Sequence, residues 1–460
     1  MTTLSGMLDL SRRALSAHQL ALAVVGHNTA NVNTPGFSRQ RVQLSPSWHL
    51  QLVQGTLGTG VNVLGIEQIH DNLLDISLRQ GYSDFSQWEA IDGSLQSLEN
   101  IFGDVSDTGG LGDLLTEFWN GWQDVANDPE NLTARSALRQ NSESLCSEFN
   151  RLHSQFTSQC HSHDQEIVVR AGEINSLASG IADLNQRISD VENVGGQAND
   201  LRDQRNNLLN ELASIANIQM ADQPNGQINV YIGGQILVQG NQSMTIATQE
   251  RSVPNGVVHD LVWQDGGSAV VVSGGQLAGL IEMRDEQIPE LIERLDELVN
   301  TLVTQVNSVH QAGFGLNGSS GNNFFNPNTT GAGDIALSGE VLASLEVIAA
   351  SASGAPGDNT TALAIAGLQN ELLMENGTAT MGDYYANLVS EVGIVRQNAT
   401  FRYNQEQASL EQLENQRESI SGVSLDEEMT NLIQYQQAYE AAARLVVTVS
   451  QMMDTVINLV

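Results

Sequence analysis

The most informative stretch of the chain reads Gly26-His27-Asn28-Thr29-Ala30-Asn31-Val32-Asn33-Thr34-Pro35-Gly36-Phe37-Ser38-Arg39-Gln40. Its three asparagines can satisfy the orphan carbonyls at a helix end or adopt the left-handed conformation. Pro35 and Gly36 suit the two central positions of a type II turn, the second of which needs a positive φ. Residues 37–42 then alternate as an extended segment does. The stretch predicts a helix end, a tight turn and the start of a strand.

A heptad pattern precedes this stretch. Its positions recur at steps of four and three, which is the spacing of a helix that packs along one face. This N-terminal seam consists of Leu4, Leu8, Ser11, Leu15, His18, Leu22 and Val25. It predicts a helix over the first 25 residues.

The C-terminal end of the chain carries the same pattern. Ser424 is a suitable N-cap, and the acids at 426–428 favour the first turn of a helix. The C-terminal seam that follows consists of Leu425, Met429, Leu432, Gln436, Tyr439, Ala443, Val446, Ser450, Met453, Ile457 and Val460. Two such helices can pair antiparallel, and their other apolar faces then need neighbouring copies in a head-to-tail helical assembly.

The middle of the chain predicts a long antiparallel helix bundle with a β insertion. Helical periodicity covers residues 84–102, 111–126, 132–194, 198–217, 277–310 and 380–419. Short alternating runs between glycine pairs predict hairpins near 221–275. Residues 313–360 are rich in Gly, Asn, Ser and Thr and predict loops with a strand or two. The expected fold class is mainly α with a β insertion.

We therefore expect three domains. A terminal α-helical coiled coil combines residues 1–75 and 415–460. The helix bundle combines 76–220 and 276–414, and the small β domain spans 221–275.

The charge balance limits the possible partners. The formal net charge is −35, and every basic residue is an arginine. Such a chain lacks the basic face that nucleic acids and anionic membranes attract. Residues 1–75 hold four arginines and four acids, so nearly all of the excess negative charge lies in the middle. Nearly neutral ends are what close packing between copies requires.

Two classes of targeting or membrane segment are not expected. No run of about 18 apolar residues exists, so no membrane span is predicted. Polar residues at 16, 18 and 19 interrupt the N-terminal apolar stretch, which argues against a cleaved signal peptide.

The sequence gives little evidence for a metal site or for catalytic residues. Cys146, His153 and Cys160 recur every seven residues, which on a helix places them roughly 10 Å apart, too far to share one ion. We therefore expect no metal, no cofactor and no enzyme activity. The acids Asp71, Asp75, Asp200, Asp203, Glu427 and Glu428 are expected to be caps or solvated faces. A loop is expected at Gly55, Gly58 and Gly60, since no nucleotide-binding fingerprint accompanies these glycines.

The stretch 30–37 resembles the N-terminal signature of flagellar rod, hook and hook-associated proteins, and Ser38-Arg39-Gln40 is similar to its hook-associated branch. Further segments along the chain also resemble this family. They are Asn127-Asp128-Pro129, Ala198-Asn199-Asp200-Leu201-Arg202-Asp203-Gln204-Arg205, Gly274-Gly275-Gln276-Leu277-Ala278-Gly279-Leu280 with Arg284-Asp285, Val306-Asn307, Phe324-Phe325, and the segment from Ser421 to Arg444. The resemblance thus runs along the whole chain.

This resemblance implies an axial structural protein that polymerises at the hook tip and joins hook to filament. Its implied partners are further copies of itself, hook protein, hook-associated protein 3, and the flagellar export chaperone and export apparatus. The implied location is extracellular, in the flagellum, after export without a cleaved signal. The residues expected to act in assembly are the two seams and a motif of Asn28, Asn31, Asn33, Thr34, Pro35, Gly36, Phe37 and Arg39.

Other readings of the sequence are less well supported. Hook protein has similar ends but should lack the long helices at 132–217 and 277–310. Flagellin and hook-associated protein 3 lack the Asn-Thr-Pro-Gly word. A metal-dependent or hydrolytic enzyme would need a convergent polar pocket, which no motif predicts.

Overall fold

The computed structural model describes residues 4–52, 55–103, 110–254 and 256–458. It is mainly helical with a β insertion, as the periodicity predicts. Val460 of the C-terminal seam lies outside the described residues. The α-helices are α1 (Leu4–Ala30), α2 (Asn72–Phe102), α3 (Leu111–Asn127), α4 (Leu132–Asn193), α5 (Asn199–Ile215), α6 (Gly275–Glu282), α7 (Ile288–Ala312), α8 (Gly339–Ala343), α9 (Thr360–Gly367), α10 (Met381–Ser421) and α11 (Leu425–Ile457).

The strands form two groups, and every pairing is antiparallel. Near the N-terminus β1 (Gln40–Pro46) pairs with β4 (Val61–Gln68), and β2 (His49–Leu52) pairs with β3 (Gly55–Gly58). The loop expected at Gly55 and Gly58 is therefore wrong: these residues form a strand, because the backbone of 49–52 offers them a complete set of partners. The insertion contains β5 (Ile218–Asp222), β6 (Ile228–Ile232), β7 (Gln235–Gln239), β8 (Gln242–Ser243), β9 (Ile246–Val253) and β10 (Gly256–Trp263).

The long helices pack antiparallel. Along α2 and α10, Tyr82 donates to Glu414 at 2.7 Å. Further along α2, Glu99 pairs with Arg396. Residues later in α2 thus contact residues earlier in α10, so the two helices run antiparallel, as neighbours do in an up-and-down bundle.

The continuous helix α4 spans 62 residues and belongs to two hydrophobic cores. Its N-terminal half, from Leu138 to Phe156, packs with α2, α3 and α7 around buried aromatic rings such as Trp122 and Phe324, whose centroids lie 5.0 Å apart. Its C-terminal half, from Ile167 to Ala182, packs with α5, α6 and the strands of the insertion. One helix therefore supports both halves of the bundle.

A π-helical turn at Met283–Gln287 interrupts the helix expected over 277–310. The wider turn carries Arg284, which is buried and donates to the Asp164 carboxylate at 2.8 Å and to the His259 carbonyl at 2.7 Å. Asp164 also accepts from the backbone N–H of His259. The residue in the π-helical turn thus connects β10 to α4. Residues 313–360 are mostly loops, as expected, but the expected strand or two is present only as isolated bridges such as Phe314–Ser351, and the short helix α8 lies within this stretch.

Candidate assembly site at the paired chain ends

Helices α1 and α11 pack against each other in antiparallel orientation. Asn28, near the end of α1, faces Glu428, near the start of α11. Ten residues earlier in α1, the ring of His18 lies 6.3 Å from the ring of Tyr435. The buried side chains between the helices are mostly small: Ser11, Ala17, Ala21, Val24, Val25, Ala442 and Val449. Small residues let the two backbones approach, but they bury little apolar area.

Ser11 and Val25 of the N-terminal seam belong to this buried face, and most other described seam residues lie beside it. On α1, Leu4, Leu15 and Leu22 are half-buried and Leu8 is exposed; on α11, Leu432, Val446 and Met453 are half-buried, and Leu425, Met429, Tyr439 and Ile457 are exposed. The exposed fraction of Ile457 reaches 70%. A single chain therefore leaves a large part of both seams in contact with solvent.

The Asn-Thr-Pro-Gly turn has the predicted type II geometry. The N–H of Phe37 donates to the carbonyl of Thr34 at 3.2 Å, and Gly36 has a φ of 76°. Asn31 stabilises the turn, because its side chain caps the His27 carbonyl and accepts from the Thr34 hydroxyl. Asn33, Thr34 and Pro35 are exposed.

The turn is fixed to the helix bundle by two distant side chains. Asn207 of α5 donates to the Pro35 carbonyl at 3.2 Å, and Arg417 of α10 donates to the Gly36 carbonyl at 2.8 Å. A β-carbon on Gly36 would lie only 1.8 Å from the Asn207 side chain. The turn is therefore held between α5 and α10, and a β-carbon at residue 36 would displace the Asn207 side chain as well as disfavour the positive φ.

Asn28 fastens the end of α1 to β1. Its amide group donates to the Gln40 carbonyl at 2.9 Å and accepts from the Gln40 N–H at 3.0 Å. Because Asn28 is almost fully buried, this reciprocal pair satisfies groups that would otherwise lose hydrogen bonds to water. Phe37 packs edge-on against His27 at 5.4 Å.

Two motifs quoted from the sequence, the segment after the Asn-Thr-Pro-Gly turn and the start of α5, contact each other here. Asp203 accepts from the N–H of Ser38 at 3.0 Å, Asp200 accepts from the Gln40 side chain at 2.6 Å, and Asn199 donates to the Ile66 carbonyl at 2.7 Å. Burial raises the pKa of the Asp203 carboxyl to about 6. The start of α5 is thus a receptor for the segment after the turn.

Arg39 connects this segment to the C-terminal part of the chain. Its N–H donates to the Ser421 carbonyl at 2.8 Å, and its guanidinium pairs with Glu427. The neighbouring Glu428 is buried, and desolvation raises its pKa. The turn, β1 and both chain ends therefore meet at one junction, which we call the clamp: Asn28, Gly36, Ser38, Arg39, Gln40, Asp203, Asn207, Arg417 and Ser421.

Two of the acids in this region differ from expectation. Asp71 is an N-cap, as predicted, and accepts from the backbone of Leu73. Asp203 and Glu428, however, are buried: Ser38 and Gln68 donate to Asp203, and α1 packs against Glu428. Nothing in their spacing distinguished them from their exposed neighbours.

Comparisons with known proteins identify the family. The model of the flagellar hook-associated protein FlgK helical domain matches residues 95–325. Flagellar hook-associated protein 1 of Bacillus subtilis is 31% identical over 503 aligned positions, which cover 100% of this chain and 99% of the relative. The chain belongs to the flagellar hook-associated protein 1 family.

Two further family models match the two ends of the chain. The Flagella basal body rod protein model matches residues 8–37, and the Flagellar basal body rod FlgEFG protein C-terminal model matches 414–459. The hook-associated protein 1 of Escherichia coli is 25% identical and covers 99% of this chain. The solved flagellar hook junction protein FlgK from Burkholderia pseudomallei, at 17% identity, shares the fold over 75% of this chain with a TM-score of 0.68.

Family membership makes this a structural protein of the bacterial flagellum rather than a member of an enzyme family. Among the described residues no helix is long and apolar enough to cross a membrane, and no three side chains of His, Cys, Asp or Glu gather as metal ligands would. Burial raises the pKa of the Cys146 thiol to about 12 and that of Cys160 to about 11, as expected for packing residues. His153, which lies between these two cysteines in the sequence, is likewise in close contact with another part of the chain, at Gly333.

Proposed function

We propose that this protein polymerises at the tip of the hook and forms the junction to which the filament attaches. The contacts between copies are made by the seams of α1 and α11, and the clamp sets the angle between this helix pair and the bundle. The observation that carries the proposal is the exposure of apolar side chains along both seams of a helix pair that is otherwise fixed to a well-packed body.

Hook protein below and hook-associated protein 3 above are the proposed neighbours in the axial structure. The chain would reach that position through the flagellar export apparatus, guided by an export chaperone and without a cleaved signal. The supporting reasons are the family membership and the nearly neutral ends, since subunits with a net charge of −35 can only pack closely where charge is low.

The proposal is tested by electron microscopy of a strain that lacks this protein. We expect hooks without attached filaments, filament protein in the medium, and recovery when the full chain is supplied. Normal filaments in the deleted strain would contradict the proposal.

A further inference from the structure

A polar cavity lies where α2, α5 and β5 meet. Its volume is about 440 Å³, which is within the range of about 300–1,000 Å³ that is typical of small-molecule sites. Three of the chain's 19 arginines line it, against two of its 54 acidic residues, so cationic side chains are enriched here. The arginines are Arg79 of α2 and Arg202 and Arg205 of α5, and the acids are Asp75 and Asp222.

The side chain of Arg79 is buried, yet it has almost no partner. The residue is 8% exposed, and its Nε is buried without a hydrogen bond. Its single hydrogen bond to a described residue joins a terminal nitrogen to the amide oxygen of Asn206 at 3.5 Å, which is long for such a bond. Because a guanidinium has five N–H donors, most of those of Arg79 find no acceptor in the part of the chain that the structure describes.

Arg205 is the second buried arginine of the cavity. It is 4% exposed, and one terminal nitrogen donates to the Asn185 amide oxygen at 2.9 Å and to the Gly226 carbonyl at 2.8 Å. Its Nε is buried without a partner. Burial, followed by nearby charges that include those of Arg202 and Arg79, lowers the pKa of Arg205 to about 10. The guanidinium groups of Arg79 and Arg205 are therefore close enough to repel each other, and both stay protonated at neutral pH.

Neither of these two guanidinium groups is paired with a carboxylate. Within the described ranges, no carboxylate oxygen lies within 4.0 Å of Arg79 or Arg205. Asp75 and Asp222 line the cavity without reaching them, and Asp222 is exposed, so that water screens its charge. The third arginine of the cavity is already neutralised by Glu192, at 2.8 Å. Since buried charges are stable when they are paired, the two buried cations favour an anion between them.

We propose that this cavity binds a divalent oxyanion, a phosphate or sulfate group, between Arg79 and Arg205. The planar guanidinium fork binds such groups through paired N–H···O bonds, and two cations match two negative charges. Asn206 and Asn217 also line the cavity, and their amide N–H groups can donate to the same oxygens. The volume admits an organic group as well, so the ligand is either the free ion or an ester that carries it.

A bound oxyanion would join α2 to α5 beside the clamp. Gln68 lines the cavity and also donates to Asp203 of the clamp. Burial and, with a smaller effect, the charge of Arg417 in the clamp lower the pKa of Arg79. A ligand that binds only the folded chain stabilises it by mass action, so occupation of the cavity should raise the melting temperature. This inference does not depend on the proposed function.

The test measures thermal unfolding of the purified full-length protein in sodium phosphate and in sodium chloride at equal ionic strength. Because phosphate stabilises most proteins to some extent, the decisive comparison is between variants. Arg79→Gln removes a guanidinium from the cavity. Arg187→Gln is the matched control, since it removes the same charge from a side chain of α4 that is 54% exposed. Circular dichroism checks that each variant is folded, and the width of the phosphorus NMR signal of phosphate reports binding directly.

We expect phosphate to raise the melting temperature of the wild type and of Arg187→Gln by a few degrees more than that of Arg79→Gln. The phosphorus signal should broaden with the first two proteins and stay narrow with the third. Equal shifts in all three proteins would overturn the inference. A phosphorus signal that stays narrow with the wild type would overturn it as well, whatever the stability of the variants.

Two further ligands identify the chemical group that is bound. Acetate, a monovalent oxyanion, should give no shift that depends on Arg79, and a shift equal to that of phosphate would overturn the divalent assignment. O-phosphoserine carries the phosphate on an organic molecule. A larger Arg79-dependent shift than that of inorganic phosphate would support an ester as the ligand, and an equal or smaller shift would support the free ion.

Discussion

At the scale of single residues, Gly36 is constrained in two independent ways. Its φ of 76° costs a residue with a β-carbon on the order of 1–2 kcal/mol, and a β-carbon would also collide with Asn207. We therefore expect Gly36→Val to release the turn from α5 and to abolish filament attachment, scored by microscopy, while circular dichroism of the purified protein keeps its helical signal.

The matched control is Gly26→Ala. This glycine lies within α1, and a β-carbon there meets no atom within 4 Å. Alanine also favours helix over glycine, so filaments should form normally. Normal filaments on cells that carry Gly36→Val would show that the turn does not need a residue in the left-handed conformation.

Asp203 makes the clamp sensitive to pH. The pKa of its buried carboxyl is about 6 in the folded protein, against 3.8 for an ordinary aspartate. Because the folded pKa is the higher one, protonation favours folding, so the contribution of Asp203 to stability falls as the pH rises from about 4 to about 6, by on the order of 2–3 kcal/mol.

This pH dependence is measured by comparing melting temperatures between pH 4 and pH 7. We expect Asp203→Asn to lose less stability than the wild type over this range, since an amide does not titrate. Asp183→Asn, whose side chain is 69% exposed, removes an equal charge and should keep the dependence of the wild type. Parallel curves for wild type and Asp203→Asn would contradict the assignment.

The turn itself could be predicted from the sequence, but its receptor could not. Pro35-Gly36 specifies a local hydrogen bond between residues 34 and 37, and local rules are sufficient for that. Asn207 and Arg417, which hold the turn, lie 172 and 381 positions away from the residues they contact. Each is one polar residue among many on an amphipathic helix, so only tertiary packing selects it.

At the scale of elements, the exposed end of α11 should act after export rather than during folding. Ile457 is 70% exposed, and we place it in the interface between copies. Ile457→Asp would then bury an unpaired carboxylate at every interface, at a cost of several kcal/mol each. We expect the variant to be secreted, to accumulate in the medium and to leave hooks without filaments, as shown by blotting of cells and medium and by microscopy.

Glu440→Gln is the control for this experiment. Glu440 lies 3.8 Å from Arg444 on the same helix, and both side chains are largely exposed, so the pair contributes little. Its filaments should be normal. If Ile457→Asp protein stays inside the cell, this end of α11 serves export recognition; if it assembles, Ile457 faces solvent in the junction.

Most helices could be predicted from apolar periodicity, but two features of the elements could not. The π-helical turn at Met283–Gln287 lies within a helical apolar pattern, and its Arg284 donates to Asp164, which is 120 positions away in the sequence. Strands β1, β3 and β4 have no buried side chain beyond Gln40, so they lack the alternation of apolar and polar residues that half-buried strands show. Strands β2 and β3 are determined by hydrogen bonding between their backbones. This pairing depends little on the type of side chain, so the sequence pattern did not predict it.

At the scale of the whole molecule, the stability of the described chain is unevenly distributed. None of its three hydrophobic clusters includes a residue of α1 or α11. Ordering a residue costs about 1–2 kcal/mol, and the small side chains between these helices offset little of it. We therefore expect limited proteolysis of the unassembled protein to remove both ends and to leave a core of roughly residues 70–415, identified by mass spectrometry.

The control for this digestion is the same protein in assembled flagella, where both ends should be protected. Termini that resist the protease in the monomer would mean that the helix pair is stable without neighbours. The domain division into 1–75 with 415–460, 76–220 with 276–414, and 221–275 stays a prediction that the fragment pattern can examine.

The length of α4 has a mechanical consequence. At 1.5 Å per residue its 62 residues extend over about 93 Å, and both hydrophobic cores are built on it. A torque applied to one core passes to the other through a single unbroken helix, so the body resists bending as a stiff rod does. The terminal helix pair joins this rod through the clamp as well as through the covalent links at residues 69–71 and 422–424, and the clamp consists of single hydrogen bonds such as those of Asn207 and Arg417. Under torsional load these hydrogen bonds should break before the rod bends.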